Sequence, residues 1–553
     1  MNRVRTVSAG LGLTLAGCFS PNVATDTGSA EAESSTSEAD ATTPSSDSSA
    51  DGTGTSGGSD LPETGDSDVG GTDTSDETKG QTGPVVELTV NGSTEPATVA
   101  QASEVVVEAT AVDVDGSIES VDFFLDGEPL DALVESDGNT HTVRFIISGD
   151  DDDGTHIIEA VATDDEDLTG GSSVNVQFDL PGGGLIEAWS FDNGEGGSVL
   201  GLHPTPDGDQ LVWTGQVFVD GDQDMRIDRV VGPAWQGNAT NSDDQGSDVH
   251  PLPDGGYIAA SAAGDAFALE TRLRRYSANG TEMDSALFDG SDNGESNWPL
   301  GVELDNAGDY YVLGAFVGPD EFESFLLKSN TNLTQDWKRS LTTSPETDGT
   351  PFVYDFDLRG DGQIALAGSD NSRMWIAILD SDGQVEDQLT LVSEFDQSVA
   401  YDVTWTPTGE IVVAGATNDA EGWARFVRMY DDALLEQWTS TGAATGSFAM
   451  AITADDHGHI IVAASEDCTF NGTSRFEDCR LVLRSYGEGG ELRWQHTAED
   501  GGSEFLGPLL FRPGAKADVE VDRFGYVYVS AFHERSLGGG ATRPEWWAEQ
   551  HHP

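Results

Sequence analysis

Seven times along residues 206–530 a tight turn feeds directly into an apolar strand. The turns are Pro206-Asp-Gly-Asp209, Pro253-Asp-Gly255, Asn306-Ala-Gly308, Gly360-Asp-Gly362, Pro407-Thr-Gly409, Asp456-His-Gly458 and Arg523-Phe-Gly525. The strands behind them begin at Leu211, Tyr257, Tyr310, Ile364, Ile411, Ile460 and Tyr526. From Asp209 through the six turn glycines the steps are 46, 53, 54, 47, 49 and 67 residues. A period of this length means that each unit is a supersecondary element, which buries its apolar face only by packing on its neighbours.

A second pattern runs in step with the first. An apolar residue stands four before a Trp or Leu at Leu185/Trp189, Val231/Trp235, Met283/Leu287, Leu333/Trp337, Val385/Leu389 and Leu434/Trp438, and Trp494 has Leu492 instead. From each Trp or Leu to the next turn anchor is 20, 20, 21, 25, 20, 20 and 31 residues. Further apolar runs lie between the two signals, at 325–327, 376–379, 426–430 and 481–483. Each unit therefore reads as four strands, the first just ahead of the turn and the last ending in Trp or Leu. Strands in this number at this period predict a β-propeller. The two ends supply the closure. One fourth-strand signal precedes the first turn, and the seventh unit stops at Glu545-Trp-Trp-Ala548 without a fourth strand. The expected fold is all-β: an Ig-like β-sandwich followed by a seven-bladed β-propeller closed by an N-terminal strand, with residues 185–193 completing the last blade. Pairing the two ends removes the open edge that a linear β array would expose. The repeats resemble the bacterial propeller repeats called SBBP, in which an apolar strand, a Gly turn, a Val/Ile-rich strand and a later Trp recur. Gly490-Glu-Leu-Arg-Trp494 also resembles the quinoprotein Trp-docking pattern, but one unit does not imply a quinone cofactor.

The innermost strands carry polar residues at two registers. Asp248, Asp355, Asp402 and Asp518 occupy one equivalent position and read as scaffold, because they recur. Two residues further on the sequence varies: His250, Glu303, Asp357, Thr404, Thr453 and Glu520. These six are the candidates for a binding surface at the channel mouth. Carboxylates ringed there attract cations and repel anions.

Ahead of the repeats the chain changes character twice. Arg3 and Arg5 precede a mildly apolar stretch and the small residues Ala16 and Gly17, so residues 1–17 read as an export signal. Leu15-Ala16-Gly17-Cys18 resembles the lipobox of bacterial lipoproteins, which implies cleavage before Cys18 and lipid on that cysteine. Residues 18–83 are Ser, Thr, Asp, Glu and Gly with almost no large apolar residue. They read as a disordered, self-repelling tether. From Pro84 short alternating strands return, and residues 84–180 fit a β-sandwich. The run from Ala109 to Ile118 with Asp113-x-Asp115-Gly116, the segment Val121 to Gly127, and Gly154 to Asp164 resemble the bacterial Ig-like modules of surface proteins and secreted hydrolases. Such modules act as spacers. The propeller is assigned to 184–553.

Charge narrows the function. The chain has 100 acidic and 25 basic residues, a net charge of −75, and only four lysines. No basic patch can dock nucleic acid or an anionic membrane surface, so the membrane is reached through the lipid alone. Cys468 and Cys479 are ten intervening residues apart in an exported chain and are expected to pair across an inserted loop. Acidic loops offer Ca²⁺ candidates at Asp113 and Asp115, at 150–153, and at Asp220, Asp222 and Asp224. Asp and Gly are also simply good turn formers. Met225 stands where an EF-hand-like loop requires Gly. His457 and His459 are expected on opposite sides of a turn and so unsuited to zinc. No Gly-x-Ser-x-Gly, His-Glu-x-x-His, P-loop or sialidase Asp-box is present. Three functions remain in view. One is a non-enzymatic, lipid-anchored protein of the cell envelope, at the outer membrane or surface of a bacterium, that binds a protein or glycan partner without a cofactor. The others are an extracellular polysaccharide hydrolase or lyase using Glu303, Asp357 and Glu520, and a structural coat component.

Overall fold

The computed structural model describes residues 82–552 apart from 95, 100–102, 131, 148–153, 180–182, 184, 192–196, 206–210, 220–221, 230–235, 239–243, 266–267, 289–295, 318–321, 342–350, 392–396, 420–421, 444–445, 471–475, 478, 499–503, 506–516 and 539–540. The export signal, Cys18 and all but the last residues of the tether lie outside the described residues, as do Val231, Trp235, Asp220 and the acidic stretch 150–153. Among the described residues every regular element is a strand, and no helix is long and apolar enough to cross a membrane.

The first folded part is a two-sheet sandwich. One sheet orders Val85–Val90, Ser103–Val112, Thr140–Ile147 and Glu135–Asp137; the other orders Ala97–Val99, Thr169–Phe178, Gly154–Asp164, Ile118–Leu125 and Glu128–Pro129. Strand periodicity sends alternate residues inward. Val105, Val107, Ala109 and Ala111 of one sheet thus meet Ile158, Ala160, Ala162, Val176 and Phe178 of the other in one core. The turn at Asp165-Glu-Asp-Leu168 keeps the hairpin register unbroken from Gly154↔Phe178 to Thr163↔Thr169, because Asp167 takes a positive φ of 63° and Asp164 accepts the backbone N–H of Glu166 and Leu168.

Seven antiparallel sheets of four or five strands follow among the described residues. Their inner strands are Gly197–Pro204, Asp244–Pro251, Ser296–Leu304, Phe352–Leu358, Gln397–Trp405, Phe448–Ala454 and Asp518–Val521. Each inner strand packs against the next, and the seventh packs against both the sixth and the first. The first six sheets are built in sequence order from the inside out. In the seventh, Asp518–Val521 pairs with Val527–Gly538, which pairs with Ala541–His551, and that strand pairs with Leu185–Phe191. Trp189 lies opposite Ala548, and Phe191 opposite Trp546. Glu545 to Ala548 therefore belong to the third strand, as the sequence predicts.

Turn chemistry explains the period. Asp305, Asn330, Asp380, Asp431, Asp455 and Asp522 each accept the backbone N–H groups of the second and fourth residues after them. The third residue after each takes a positive φ and is usually Gly. This corrects the second repeat pattern. Leu333 and Leu434 are these turn residues (φ 55° and 54°), buried and equivalent to Gly383 and Gly490, whereas Met283 and Val385 lie in fourth strands and are exposed. The fixed spacing of four joins two different positions.

The turn glycines also receive tryptophans from the neighbouring sheet. Trp337 of the third sheet packs on Gly383 of the fourth, and Trp438 of the fifth on Gly490 of the sixth, where its Nε1 donates to Glu488 O at 2.8 Å. Trp494 of the sixth sheet packs on Gly183, two residues before Leu185–Phe191. A Cβ at Gly183 or Gly490 would lie 2.7 Å from an indole carbon. Gly183 thus occupies, relative to Leu185, the same place that Gly383 and Gly490 occupy relative to their fourth strands.

The recurrent aspartates cross from sheet to sheet. Asp248 takes its own neighbour's N–H (Val249, 2.8 Å) on one oxygen and Val302 N of the third sheet (2.8 Å) on the other. Asp402 does the same with Val403 N and Ile452 N of the sixth sheet, both at 2.8 Å. Asp518 of the seventh sheet accepts Leu202 N of the first at 2.8 Å. Each link leaves a β-bulge on the recipient strand satisfied.

Cys468 and Cys479 are joined by a disulfide, with Cα atoms 4.2 Å apart, and close a small hairpin (Thr469–Phe470 with Phe476–Glu477) inserted in the sixth sheet. Cys468→Ala/Cys479→Ala is expected to cost about 2–3 kcal/mol, the loop-closure entropy of so short a ring, in urea unfolding followed by tryptophan fluorescence. Asp402→Ala is expected to cost more, about 2–4 kcal/mol, since it strands two buried N–H groups. An unchanged midpoint for Asp402→Ala would contradict the cross-link.

Candidate functional site

The bulge that receives or sends each aspartate also sets the direction of the residues just beyond it. Two positions beyond the bulge in the first six inner strands, and two beyond Asp518 in the seventh, stand His203, His250, Glu303, Asp357, Thr404, Thr453 and Glu520. Six of these are legible in the sequence. His203 escapes because it stands eight residues before its strand at Leu211, whereas the other six stand seven before theirs.

The set forms a charged network. His203 Nε2 lies 3.2 Å from Asp248 Oδ1, and its Nδ1 lies 3.3 Å from Glu520 Oε1. His250 Nδ1 lies 3.2 Å from Glu303 Oε2, and the imidazoles of His203 and His250 are 5.7 Å apart. Asp357 Oδ2 accepts Trp405 N (2.8 Å) and Thr404 Oγ1 (3.0 Å) from the next sheet. Thr453 is half-buried and joins none of these bonds. His250, Glu303 and Glu520 keep about a quarter of their side-chain surface open (23%, 24% and 27%), whereas His203 is nearly closed off (10%).

Protons are held here. Burial pushes Asp357 up to about 7, and the charge of Glu303 adds to the effect against the opposing Trp405 and Thr404 hydrogen bonds. Burial alone would lower His203, but Glu520, Asp248 and Asp518 outweigh it and raise its pKa well above the ordinary value. Glu520 is also raised, first by burial and then by Asp518, Glu303 and Asp248 against His203. Glu303, from the third sheet, thus acts on the carboxylates of both the fourth and the seventh, as groups around one axis must.

A pocket of about 240 Å³ opens immediately beyond three ring positions. Pro204 and Thr205, Ala454 to Asp456, and Val521 to Arg523 line it. Within it burial pushes Asp522 up to about 6, although Tyr528 Oη donates to that carboxylate at 2.9 Å.

Three clusters outside the ring bring metal-binding atoms within 4.8 Å of one another. Asp113, Asp165 and Glu166 converge over Gly116 in the sandwich and offer hard oxygen ligands suited to Ca²⁺. Asp115 is held by Thr82 Oγ1 at 2.9 Å. The backbones of Asp222 and Asp224 pair with Val219 and Val217. The second cluster, Asp455, His457 and His459, corrects the expectation for the histidines. Their rings stack at 5.8 Å on one side of the turn, because Gly458 at φ 80° breaks the strand alternation between them. Asp455 is occupied there by two backbone N–H groups and by His459 Nδ1 at 2.8 Å. The third cluster, His496, Glu549 and His551, joins the sixth and seventh sheets and is not visible in the sequence.

All three raised groups of the ring set one sign for pH dependence. Each folded-state pKa lies above its unfolded value, so each contribution to stability is full below the unfolded pKa and is lost as pH rises through the folded pKa. For Asp357 that window runs from about 4 to about 7. Asp357→Asn, which keeps an acceptor for Trp405, is therefore expected to stabilise the protein by about 1–3 kcal/mol at pH 8 and by nothing near pH 4. Thermal unfolding across that range checks it, and a benefit that grows toward acid would refute it.

Residues 84–160 match the family model described as bacterial Ig domain. No curated protein matches the sequence. Among solved structures the chain is similar to a streptogramin B lyase (12% identity, 66% of this chain and 97% of that one, TM-score 0.38). It is also similar to a polysaccharide lyase, Uly1 (11% identity, 67% and 99%, TM-score 0.44), and to a protein of unknown function from Bacteroides caccae (11% identity, 55% and 94%, TM-score 0.31). Among the described residues the chain is all-β, and residues 84–160 are similar to a bacterial Ig domain.

Proposed function

We propose that this is a lipid-anchored protein of the bacterial cell envelope whose seven sheets close as a seven-bladed propeller and bind a neutral or cationic glycan at the axial ring. The anchor is Cys18, the spacers are the tether and the Ig domain, and the binding residues are His250, Glu303 and Glu520 with the adjoining pocket. Closure is supported by the pairing of Leu185–Phe191 with Ala541–His551 and by the Asp518–Leu202 link.

The observation that carries the binding reading is the convergence of imidazole–carboxylate pairs from four different sheets on one axis, next to a pocket bounded by three of the strands. Such pairs supply fixed donors and acceptors for hydroxyl groups. The pocket is at the small end of ligand sites, which run to about 300–1,000 Å³, so it suits one sugar-sized group rather than a long chain. The net charge of −75 works against anionic polymers.

A second reading rests on Asp357, whose raised pKa suits a general acid at neutral pH. Its carboxylate is already committed to Trp405 and Thr404, which makes binding the stronger reading.

Glycan arrays with the purified chain test this. Retention of neutral or amino sugars is expected, with at least tenfold weaker binding in Glu303→Gln and Glu520→Gln although their melting temperatures do not fall. Equal binding by those variants removes the ring from the reading. Cleavage of a polysaccharide that depends on Asp357 replaces binding by catalysis, and capture of a protein alone replaces the glycan.

A further inference from the structure

At the seam where the first and last strands of the repeat region meet, two imidazoles converge on one carboxylate. His551 Nε2 lies 3.0 Å from Glu549 Oε2, and His496 Nε2 lies 3.8 Å from the same oxygen. The two rings are 4.6 Å apart at their centroids. Glu549 and His551 stand two apart on Ala541–His551, so they share a face of that strand, and both are fully buried. His496 reaches them from the outer strand of the sixth sheet and is still 24% exposed.

We propose that His496, Glu549 and His551 form a Zn²⁺ site that staples the sixth sheet to the closing sheet. Four observations carry it. The donor set, two imidazoles and one carboxylate, suits a borderline divalent ion and disfavours Ca²⁺ or Mg²⁺. Zinc–ligand bonds of about 2.0–2.1 Å in a tetrahedron place donor atoms about 3.3 Å from one another, between the two separations found here. The outer nitrogen of His551 is served from the backbone: Gly183 O lies 3.4 Å from its Nδ1. An N–H kept on Nδ1 leaves the Nε2 lone pair facing Glu549, the arrangement by which a second partner prepares a metal-ligating histidine. Finally, the cluster sits among the contacts that join the chain ends. Gly183 N donates to His552 O at 3.2 Å, Leu185 pairs with His551, and Trp494, two residues before His496, packs on Gly183. Three protein ligands leave a fourth position for water, reached from the exposed side of His496.

The test uses the full chain carrying Cys18→Ser, so that no thiol competes, stripped by chelator and titrated with Zn²⁺ in a calorimeter. One Zn²⁺ per chain is expected, with a melting temperature that rises on saturation and the visible absorption of tetrahedral Co²⁺ when cobalt replaces zinc. His496→Ala, on the partly exposed strand, is expected to bind at least tenfold more weakly with an unchanged far-ultraviolet spectrum. Glu549→Gln is expected to lose the cobalt bands, and His457→Ala to retain both metal and spectrum. Absence of saturable zinc binding, equal affinity in His496→Ala, or loss of zinc in His457→Ala instead would each overturn the site.

Discussion

One carboxylate geometry organises the repeat region. Asp248 and Asp402, each just past the bulge of an inner strand, accept the N–H beside them with one oxygen and an N–H of the following sheet with the other, and Asp518 makes the second of these bonds. Asp248, Asp402 and Asp518 send such links to the third, sixth and first sheets. The recipient strands carry Gly301, Ala451 and Gly201 at the position that bears Asp elsewhere. A side chain at Gly301 would approach the incoming Asp248 carboxylate, and one at Gly201 would run into Asp248 as well, so a second carboxylate at either would meet a like charge in a medium of low dielectric. At these three junctions the alternation of Asp with a small residue follows which strand gives the link and which receives it. The same bulges aim the residue two positions on, so the scaffold and the axial ring share one cause.

Sequence reaches the parts of this design that local physics dictates. Turn glycines are legible because positive φ excludes most side chains, and the apolar strand behind each turn is legible because it is buried on both faces. The Asn330 and Asp431 three residues before Leu333 and Leu434 are equally readable, and they separate those leucines from the strand residues that share their spacing. One extra residue between His203 and its strand at Leu211 hides that histidine. The His496–Glu549–His551 cluster joins strands about fifty residues apart at a seam that exists only once the ends meet, and no spacing rule announces it. His457 and His459 depart from expectation for the opposite reason: strand alternation does not carry across a residue whose φ suspends it.

Cations are scarce here, and the structure spends them on buried acids. Arg425 and Arg484 both reach Glu466, at 2.6 and 2.9 Å, and hold its carboxyl below the usual range despite burial that would raise it. Lys328 binds Asp305 and Asp309 at 3.3 and 3.1 Å and donates to Tyr311 Oη. Removing one partner from such a set leaves an uncompensated buried charge, which costs more than the pair contributes.

The axial ring meets the same shortage differently. Its acids have no arginine or lysine among the partners described, only His203, His250 and each other, together with backbone and hydroxyl donors. Burial, with the neighbouring acids, moves Asp357 and Glu520 upward, and Glu520, Asp248 and Asp518 move His203 upward. The ring is thus balanced by retained protons, whereas Glu466 is held ionised by two arginines.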